Sequence, residues 1–289
     1  MIAASIIVPS YNRPEQLRGC LEALVGQIGP AYEIIVVDDG SAQPLAPVCD
    51  LFGEKLRCIR QENAGPAAAR NTGAAAARGR FLAFTDDDCR PRPDWLQKLH
   101  HAHGGDASCL VGGRVENGLP GDIYASVSQE LCDYLYEYFG AAEGSMPFFT
   151  SNNLGCDKAE FERLGGFDQT FPLAAGEDRD FGMRWGDTTG ALKYAPDAVI
   201  DHYHSMNFGK FWRQHSNYGA GAQHLHKLLD RRGILRPKRE PLSFYLGLVL
   251  WPLRQHGLKG LAYSVLMGLT QVAMINGYYR SSRQGTHPV

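Results

Sequence analysis

Three consecutive acids in this 289-residue chain have a spacing that suits chemistry on phosphate groups. Asp86, Asp87 and Asp88 follow the apolar run at residues 81–84, with Thr85 in between. Asp86 and Asp88 are two residues apart, so in an extended segment their side chains would point the same way. Such a carboxylate pair holds Mg²⁺ or Mn²⁺, and the cation can bridge to phosphate oxygens. The alternative interpretation is a solvated acidic turn that caps the following helix.

A second acidic cluster comprises Glu177, Asp178 and Asp180. Acids this close together repel one another, and that repulsion can raise the pKa of one of them. The cluster also opens a segment with helical spacing, and acids in a first turn stabilise a helix. The two interpretations are compatible, because a helix start can also carry catalytic groups.

The elements that must position these acids alternate between strands and helices. Runs of β-branched and other apolar residues predict strands, and apolar residues at helical spacing predict helices between them. This alternation is typical of right-handed βαβ units on a parallel sheet. The predicted strands are residues 5–9, 32–37, 56–60 and 81–84, and the predicted helices are residues 14–25 and 66–78.

Polar side chains follow three of the predicted strands, at 10–12, 38–39 and 86–88. Ligands in such sheets bind at the carboxyl ends of the strands, so we expect these clusters to meet at one edge. The chain contains neither G-x-G-x-x-G after its first strand nor G-x-x-x-x-G-K-[ST], the usual phosphate-binding loops. A phosphate beside so many carboxylates therefore requires a metal ion.

Composition excludes several classes of protein. Hydrophobic residues at 44% and charged residues at 21% are ordinary for a soluble globular protein. The first 204 residues carry a formal charge of −12, which argues against nucleic-acid binding there. The seven cysteines are scattered without a C-x-x-C pair, which predicts free thiols in a reducing compartment. Met1 leads directly into a strand-like run without a basic segment, so we expect no signal peptide and a cytoplasmic catalytic half.

Seven motifs in order resemble the inverting glycosyltransferases of family 2. The likeness covers residues 4–221. It implies an α/β fold of the GT-A type, which is a Rossmann-like, mostly parallel sheet flanked by helices. The motifs are Val8-Pro-Ser-Tyr-Asn12, Val36-Val-Asp-Asp-Gly-Ser41, Asn63-Ala-Gly-Pro-Ala-Ala-Ala-Arg-Asn-Thr-Gly73, Phe84-Thr-Asp-Asp-Asp88, Leu164-Gly-Gly-Phe-Asp168, Gly176-Glu-Asp-Arg-Asp-Phe-Gly-Met-Arg-Trp185 and Asp201-His-Tyr-His204.

The resemblance implies a pocket for a nucleoside-diphosphate sugar. Pro9 and Tyr11 would line the pocket, and Asp39 would accept a hydrogen bond from a base imide, which favours UDP or dTDP and leaves guanine open. Arg70 would lie near the base and phosphates. Asn153 would lie near the donor sugar.

The resemblance also implies a Mn²⁺ or Mg²⁺ site. Asp88 would be the principal ligand, and Asp86 would contact the ribose or the metal. Asp87 stays a third candidate for these contacts with the donor and the metal, because any of the three adjacent carboxylates could serve. His202 or His204 would add a metal or phosphate contact, with a structural histidine in the core as the alternative.

Asp178, beside Glu177, matches the catalytic base of the family. Inverting transfer needs one carboxylate to take the proton of the acceptor hydroxyl as its oxygen attacks the anomeric carbon. The metal would neutralise the departing diphosphate as a Lewis acid. The predicted catalytic domain is residues 1–221, with a nucleotide-binding half at 1–110 and an acceptor half at 111–221. The loops and the helix expected at residues 122–139 would border the acceptor.

Residues 222–289 are predicted to form a basic, helical C-terminal extension. After His204 the chain has twelve Lys and Arg against two acids, a formal charge of +10. Apolar stretches at 244–253 and 258–279 are interrupted too often for a single-pass span. Basic, amphipathic helices suit an anionic membrane surface, which predicts an enzyme at the inner face of the membrane acting on a lipid-linked or envelope glycan. Packing on the catalytic domain or in a homodimer is the alternative.

Two other functions compete with transfer. A sugar nucleotidyltransferase would need a glycine-rich basic loop after the first strand, where Ser10-Tyr-Asn-Arg13 offers one arginine and no glycine. A non-catalytic nucleotide-sugar-binding or scaffold protein would not need both Asp88 and Asp178.

Overall fold

The structure is a computed structural model that describes residues 2–53, 55–140, 146–235 and 240–284. The chain forms two compact units. The first comprises Met1–Gly118, Phe139–Thr170 and Glu177–Tyr203, and the second comprises Leu119–Tyr138, Phe171–Gly176 and His204–Val289. The domain boundary predicted at residue 221 falls inside the helix Phe208–Arg231. The division into a catalytic domain and a tail stays a prediction.

The first unit contains an eight-stranded sheet. Its strands in chain order are β1 (Ala4–Ser10), β2 (Tyr32–Asp38), β3 (Leu56–Arg60), β4 (Phe81–Thr85), β5 (Cys89–Pro91), β6 (Leu110–Asn117), β7 (Asn153–Asp157) and β8 (Leu192–His202). Their order across the sheet is β3-β2-β1-β4-β7-β6-β8-β5. Strands β1 to β4 are parallel, β7 is antiparallel to β4 and β6, β8 is parallel to β6, and β5 is antiparallel to β8.

Helices flank the sheet of the first unit and make up most of the second. Those of the first unit are α1 (Pro14–Leu24), α2 (Ala46–Cys49), α3 (Pro66–Ala76), α4 (Trp95–His103), α6 (Lys158–Arg163) and α7 (Glu177–Thr188). Those of the second are α5 (Ile123–Tyr138), α8 (Phe208–Arg231), α9 (Leu242–His256) and α10 (Leu261–Gln284). The predicted α/β fold with C-terminal helices is confirmed.

The core of the first unit explains why β1 and β2 read as unbroken apolar runs. Every residue of β1 is buried, and so is every residue of β2 after Tyr32. Strands of a parallel sheet are covered on both faces and therefore do not alternate between apolar and polar residues. On one face, Ile6 and Ile34 pack with Leu17 and Leu21 of α1.

The topology brings the predicted polar clusters to one edge of the sheet. Strands β2, β1 and β4 are adjacent and parallel, and Ser10 lies opposite Asp38 at their carboxyl ends. The backbone N–H of Asp39 donates to the Ser10 carbonyl at 2.9 Å. Because β4 ends at Thr85, Asp86 leaves the sheet at this same edge.

The second unit has its own aromatic core, which includes Phe211, Phe244, Trp251 and Met267. Helices α8 and α10 approach to backbone contact: a Cβ added to Gly277 would lie 1.8 Å from the carbonyl oxygen of Ser216. The tail helices are thus confirmed. By length and composition, Leu242–Ser282 is apolar enough to cross a membrane, although the interruptions in its sequence predicted otherwise.

Candidate active site

The segment Asp86–Asp88 forms a turn at the end of β4. The backbone N–H of Cys89 donates to the Asp86 carbonyl at 3.1 Å, which closes the turn. Asp86 and Asp88 therefore do not lie in an extended segment, which was the condition for expecting their side chains to point the same way. Each of the three carboxylates contacts a different set of partners.

Asp87 is held inward, against the end of β1. Its carboxylate accepts hydrogen bonds from the Ser10 hydroxyl at 2.7 Å and from the Arg13 guanidinium at 3.2 Å. Burial and the charge of Asp88 raise the pKa of Asp87 to about 7, although Arg13 and Ser10 act to lower it. With its oxygens engaged in this way, Asp87 positions the turn and anchors Arg13.

Asp88 lies beside His202, the last residue of β8. The Nε2 atom of His202 is 3.3 Å from Oδ1 of Asp88, and Arg13 is 3.1 Å from Oδ2. Cys89 pairs with His202 across β5 and β8, so the strand register itself brings these side chains together. Burial opposes a charge on His202, but the hydrogen bond and the charge of Asp88 raise its pKa.

The donor set around Asp88 fits a divalent cation. One ligand atom each of Asp88, Cys89 and His202 lies within 4.8 Å of the others. Carboxylate oxygen suits Mn²⁺ and Mg²⁺, and an imidazole nitrogen favours a transition metal over Mg²⁺. Burial raises the pKa of the Cys89 thiol well above its ordinary value, which keeps it protonated and a poor ligand. A cavity of about 220 Å³ opens here, lined by Glu15, Gln16, Asp88, Arg90 and Tyr203.

His204 is the second histidine that the sequence offered as a ligand. It follows β8 by two residues, is half-buried, and belongs to the second unit. Of the two histidines, the described contacts bring His202 to Asp88.

Arg70 connects the acidic turn to the second acidic cluster. Its guanidinium donates to Oδ1 of Asp86 at 2.7 Å and to Oε1 of Glu177 at 3.3 Å. Arg70 and Glu177 are both buried, and Asp86 is partly exposed. Nε of Arg70 and Oε2 of Glu177 are buried without a hydrogen-bond partner, which is costly unless a ligand supplies one.

Asp178 is the more accessible acid at the start of α7. It is half-buried, while Glu177 is 5% exposed. Oδ1 of Asp178 accepts a hydrogen bond from the N–H of Arg179 at 2.8 Å. Burial raises the pKa of Asp178, against the effect of Arg179. Burial and the charge of Asp178 raise the pKa of Glu177 to about 7.

Asp39 is buried at the end of β2, where its carboxylate organises the following loop. Oδ1 accepts from the Gln61 side chain at 2.7 Å and from the Ala64 N–H at 2.9 Å. Oδ2 accepts from the Gly65 N–H at 2.9 Å and from the Asn63 side chain at 3.3 Å. These four bonds use the four acceptor positions of the carboxylate. A base imide could bind Asp39 only by displacing one of the two side-chain amides.

The remaining predicted donor contacts divide between surface and core. Tyr11 is 48% exposed beside the buried Pro9, so its ring is available to a ligand. Asn153 is fully buried: its amide accepts from Trp95 at 2.8 Å and donates to the carbonyls of Arg114 and Ala198. These core bonds give no support to the prediction that Asn153 contacts the donor sugar.

Sequence reasoning missed Arg13 and Cys89. Arg13 contacts both Asp87 and Asp88, and it follows the polar strand end Ser10-Tyr-Asn directly. Its place beside that strand end was the available signal. Cys89 has no local signal, because only the pairing of β5 with β8 brings it to His202.

Comparisons with known proteins agree on one family. Residues 5–165 match the profile of "Glycosyl transferase family 2". The pre-mycofactocin glycosyltransferase of Mycobacterium tuberculosis is 30% identical over 228 residues, which cover 75% of this chain and 46% of that protein. Glycosyltransferase AglE of Haloferax volcanii is 29% identical, covering 80% of this chain and 76% of that protein. The chain thus spans about half the length of the first of these relatives.

Solved structures share the fold. The mannosyltransferase PcManGT of Pyrobaculum calidifontis, solved with GDP-Man and Mn²⁺, superposes with a TM-score of 0.69 at 18% identity, covering 97% of this chain and 87% of that one. Residues 1–349 of S. aureus TarS superpose with a TM-score of 0.54 at 17% identity, covering 100% of this chain and 93% of that one. At these identities the likeness concerns the fold, and the predicted GT-A fold is confirmed.

Proposed function

Because this chain belongs to glycosyl transferase family 2, we propose that it transfers a sugar from a nucleoside-diphosphate sugar to an acceptor hydroxyl, with inversion at the anomeric carbon. The observation that carries the proposal is the bridge made by Arg70. It joins the acidic turn at Asp86 to the acid pair at the start of α7, and so couples a donor-phosphate site to a base.

The residues of the chain have separable roles in this reaction. Asp178 accepts the proton of the acceptor hydroxyl, because it is more accessible than Glu177 and its raised pKa makes it a stronger base. Arg70 holds Glu177 in place and keeps a positive charge near the departing phosphate. Arg13 adds a second positive charge at Asp88.

Asp88 and His202 would hold a divalent cation, with Mn²⁺ favoured over Mg²⁺ by the imidazole. When bound, the cation neutralises the charge of the leaving diphosphate. Asp86, tied to Arg70 by a 2.7 Å hydrogen bond, is available to the ribose or to that cation.

The donor and acceptor follow from weaker features. Asp39 favours UDP or dTDP if the Gln61 or Asn63 amide gives way to a base imide. GDP is the competing choice, because the mannosyltransferase PcManGT was solved with GDP-Man. The acceptor we propose is a lipid-linked or cell-envelope glycan at the cytoplasmic face of a membrane. The basic second unit and the apolar segment Leu242–Ser282 support this location.

Thermal unfolding with nucleotides tests the donor site. The protein is measured with UDP, dTDP, GDP and CDP, each with Mn²⁺, Mg²⁺ or EDTA. A ligand at about 100 times its dissociation constant adds roughly 2.7 kcal/mol, a shift that is easily seen. A shift with one nucleotide that requires Mn²⁺ supports the proposal. No shift with any nucleotide would contradict it.

The variant Asp178→Asn tests the base. Turnover should fall by at least about 100-fold while the nucleotide shift is kept, because the lost group acts only on the acceptor proton. Asp187→Asn is the matched control, since Asp187 is an exposed acid on the same helix, α7. Normal turnover in Asp178→Asn would assign the base elsewhere.

A further inference from the structure

Helices α9 and α10 each carry two apolar faces, only one of which is used by the fold. The buried face of α9 presents Phe244, Leu248 and Trp251 to the core of the second unit. In α10, Met267 and Ala273 are among the fully buried residues. An amphipathic surface helix would place polar residues on its other face. Both helices place large apolar residues there instead.

The exposed apolar residues fall into one stripe along each helix. On α9 they are Leu242, Tyr245, Leu246 and Leu250, with exposures of 73%, 41%, 56% and 44%; Leu242, Leu246 and Leu250 are four residues apart, and Tyr245 lies beside Leu246. On α10 they are Leu261, Val265, Val272, Ile275 and Tyr279, with exposures of 61%, 60%, 52%, 59% and 59%. Residues at these spacings share one side of a helix. Leu258, in the turn between the helices, is 93% exposed.

Charge in the same segment has a single sign. No Asp or Glu occurs after Glu240, whereas Arg254, Lys259 and Arg280 are exposed at the ends of the two helices. Apolar side chains flanked by basic ones, with tyrosines among them, match the boundary between anionic lipid headgroups and acyl chains. A partner copy of this chain would bring the same positive charges together, so an anionic lipid surface is the better electrostatic match.

We propose that the two stripes, on α9 and α10, form a face that docks on an anionic lipid bilayer. The opposite faces are packed within the second unit, so the helices meet the lipid along one side, as in-plane helices do. This inference rests on the proposed function only for its purpose, which is to bring the enzyme to a lipid-linked acceptor.

Flotation with lipid vesicles tests the face with the full chain. The vesicles are phosphatidylcholine alone or three parts phosphatidylcholine with one part phosphatidylglycerol. The double variant Leu246→Gln/Val265→Gln should lower the partition coefficient by about 10- to 100-fold, because each side chain leaves the acyl boundary. Ile28→Gln/Leu51→Gln is the matched control, with exposures of 54% and 64% in the first unit, and it should bind as the parent does.

The charge is tested separately with Lys259→Gln. Binding to the phosphatidylglycerol vesicles should fall by about fivefold, since one basic residue near such a surface contributes that much. Raising the salt from about 50 mM to about 500 mM should weaken binding of the parent and shrink the effect of the variant.

Two results would overturn the inference. The first is a parent protein that floats with neither type of vesicle. The second is a stripe variant that binds vesicles normally but changes from dimer to monomer in light scattering, which would make the face a contact between copies. Thermal unfolding of each variant with nucleotide and Mn²⁺ distinguishes the two proposals. If nucleotide still raises the Tm but the protein does not bind vesicles, only the proposed membrane face is contradicted. If the protein binds vesicles but no nucleotide raises the Tm, only the proposed function is contradicted.

Discussion

Replacing Arg70 with methionine tests the bridge between the two acidic clusters. Met is shorter than Arg but keeps an unbranched apolar stem, and it removes the charge and both hydrogen bonds, which are 2.7 Å to Asp86 and 3.3 Å to Glu177. The substitution leaves Glu177 buried without its positive neighbour. Breaking a buried ion pair from one side usually costs about 3–5 kcal/mol of unfolding free energy.

The structure predicts a smaller cost that depends on pH. The pKa of Glu177 is already raised to about 7, so the carboxyl can take up a proton when Arg70 is lost. A carboxyl whose folded pKa lies above its unfolded value stabilises the fold at low pH and loses that stabilisation as pH rises through the folded pKa. Without Arg70 the folded pKa rises further. The variant should therefore lose about 3 kcal/mol near pH 8 and about half of that near pH 6.

Urea unfolding near pH 6 and near pH 8 measures this difference, with the fluorescence of the buried Trp95 and Trp185 as probe. Glu177→Gln is the background control, because the amide carries no charge. In that background Arg70→Met should cost at most about 1 kcal/mol, and the cost should not depend on pH. An equal cost at both pH values and in both backgrounds would refute the coupling of Arg70 with Glu177.

Three further predictions concern turnover and the second unit. Turnover should fall as pH drops below the raised pKa of Asp178, because the base becomes protonated; a flat acidic limb in initial rates would contradict this role. His215 is buried with its pKa lowered to about 4, so protons favour the unfolded state below its ordinary pKa near 6.5. Titration of His215 should lower the free energy of unfolding by about 2 kcal/mol as the pH falls from about 7 to about 5. In His215→Phe, urea titrations should show a pH dependence of the unfolding free energy that lacks this part. Gly277→Ala should destabilise the protein by about 2–4 kcal/mol, because its Cβ would meet the Ser216 carbonyl at 1.8 Å. A Cβ added to Gly268, on the same helix, would meet open space, so Gly268→Ala should stabilise the protein by about 0.5–1 kcal/mol. Equal Tm changes for the two variants would refute the close packing of α10 against α8 at Gly277.

Much of the architecture follows from the sequence because its signals are local. Unbroken apolar runs predicted β1 and β2, and helical spacing predicted α1, α3 and α5. Polar residues placed directly after strands predicted which edge of the sheet carries the site. The parallel order of β2, β1 and β4 then brought Ser10, Asp38 and Asp86 to that edge. These features depend on periodicity and on where each strand ends, and both can be read along the chain.

The partners of individual side chains were decided only by the tertiary structure. Spacing placed Asp86 and Asp88 on the same side, but a turn closed by Cys89 separates their contacts. Two histidines were equal candidates in the sequence, and the pairing of β5 with β8 brings His202 to Asp88. Arg70 meets Glu177 across 107 positions of the chain. Such contacts depend on strand register and helix packing between distant segments, and residue spacing along the chain does not encode them.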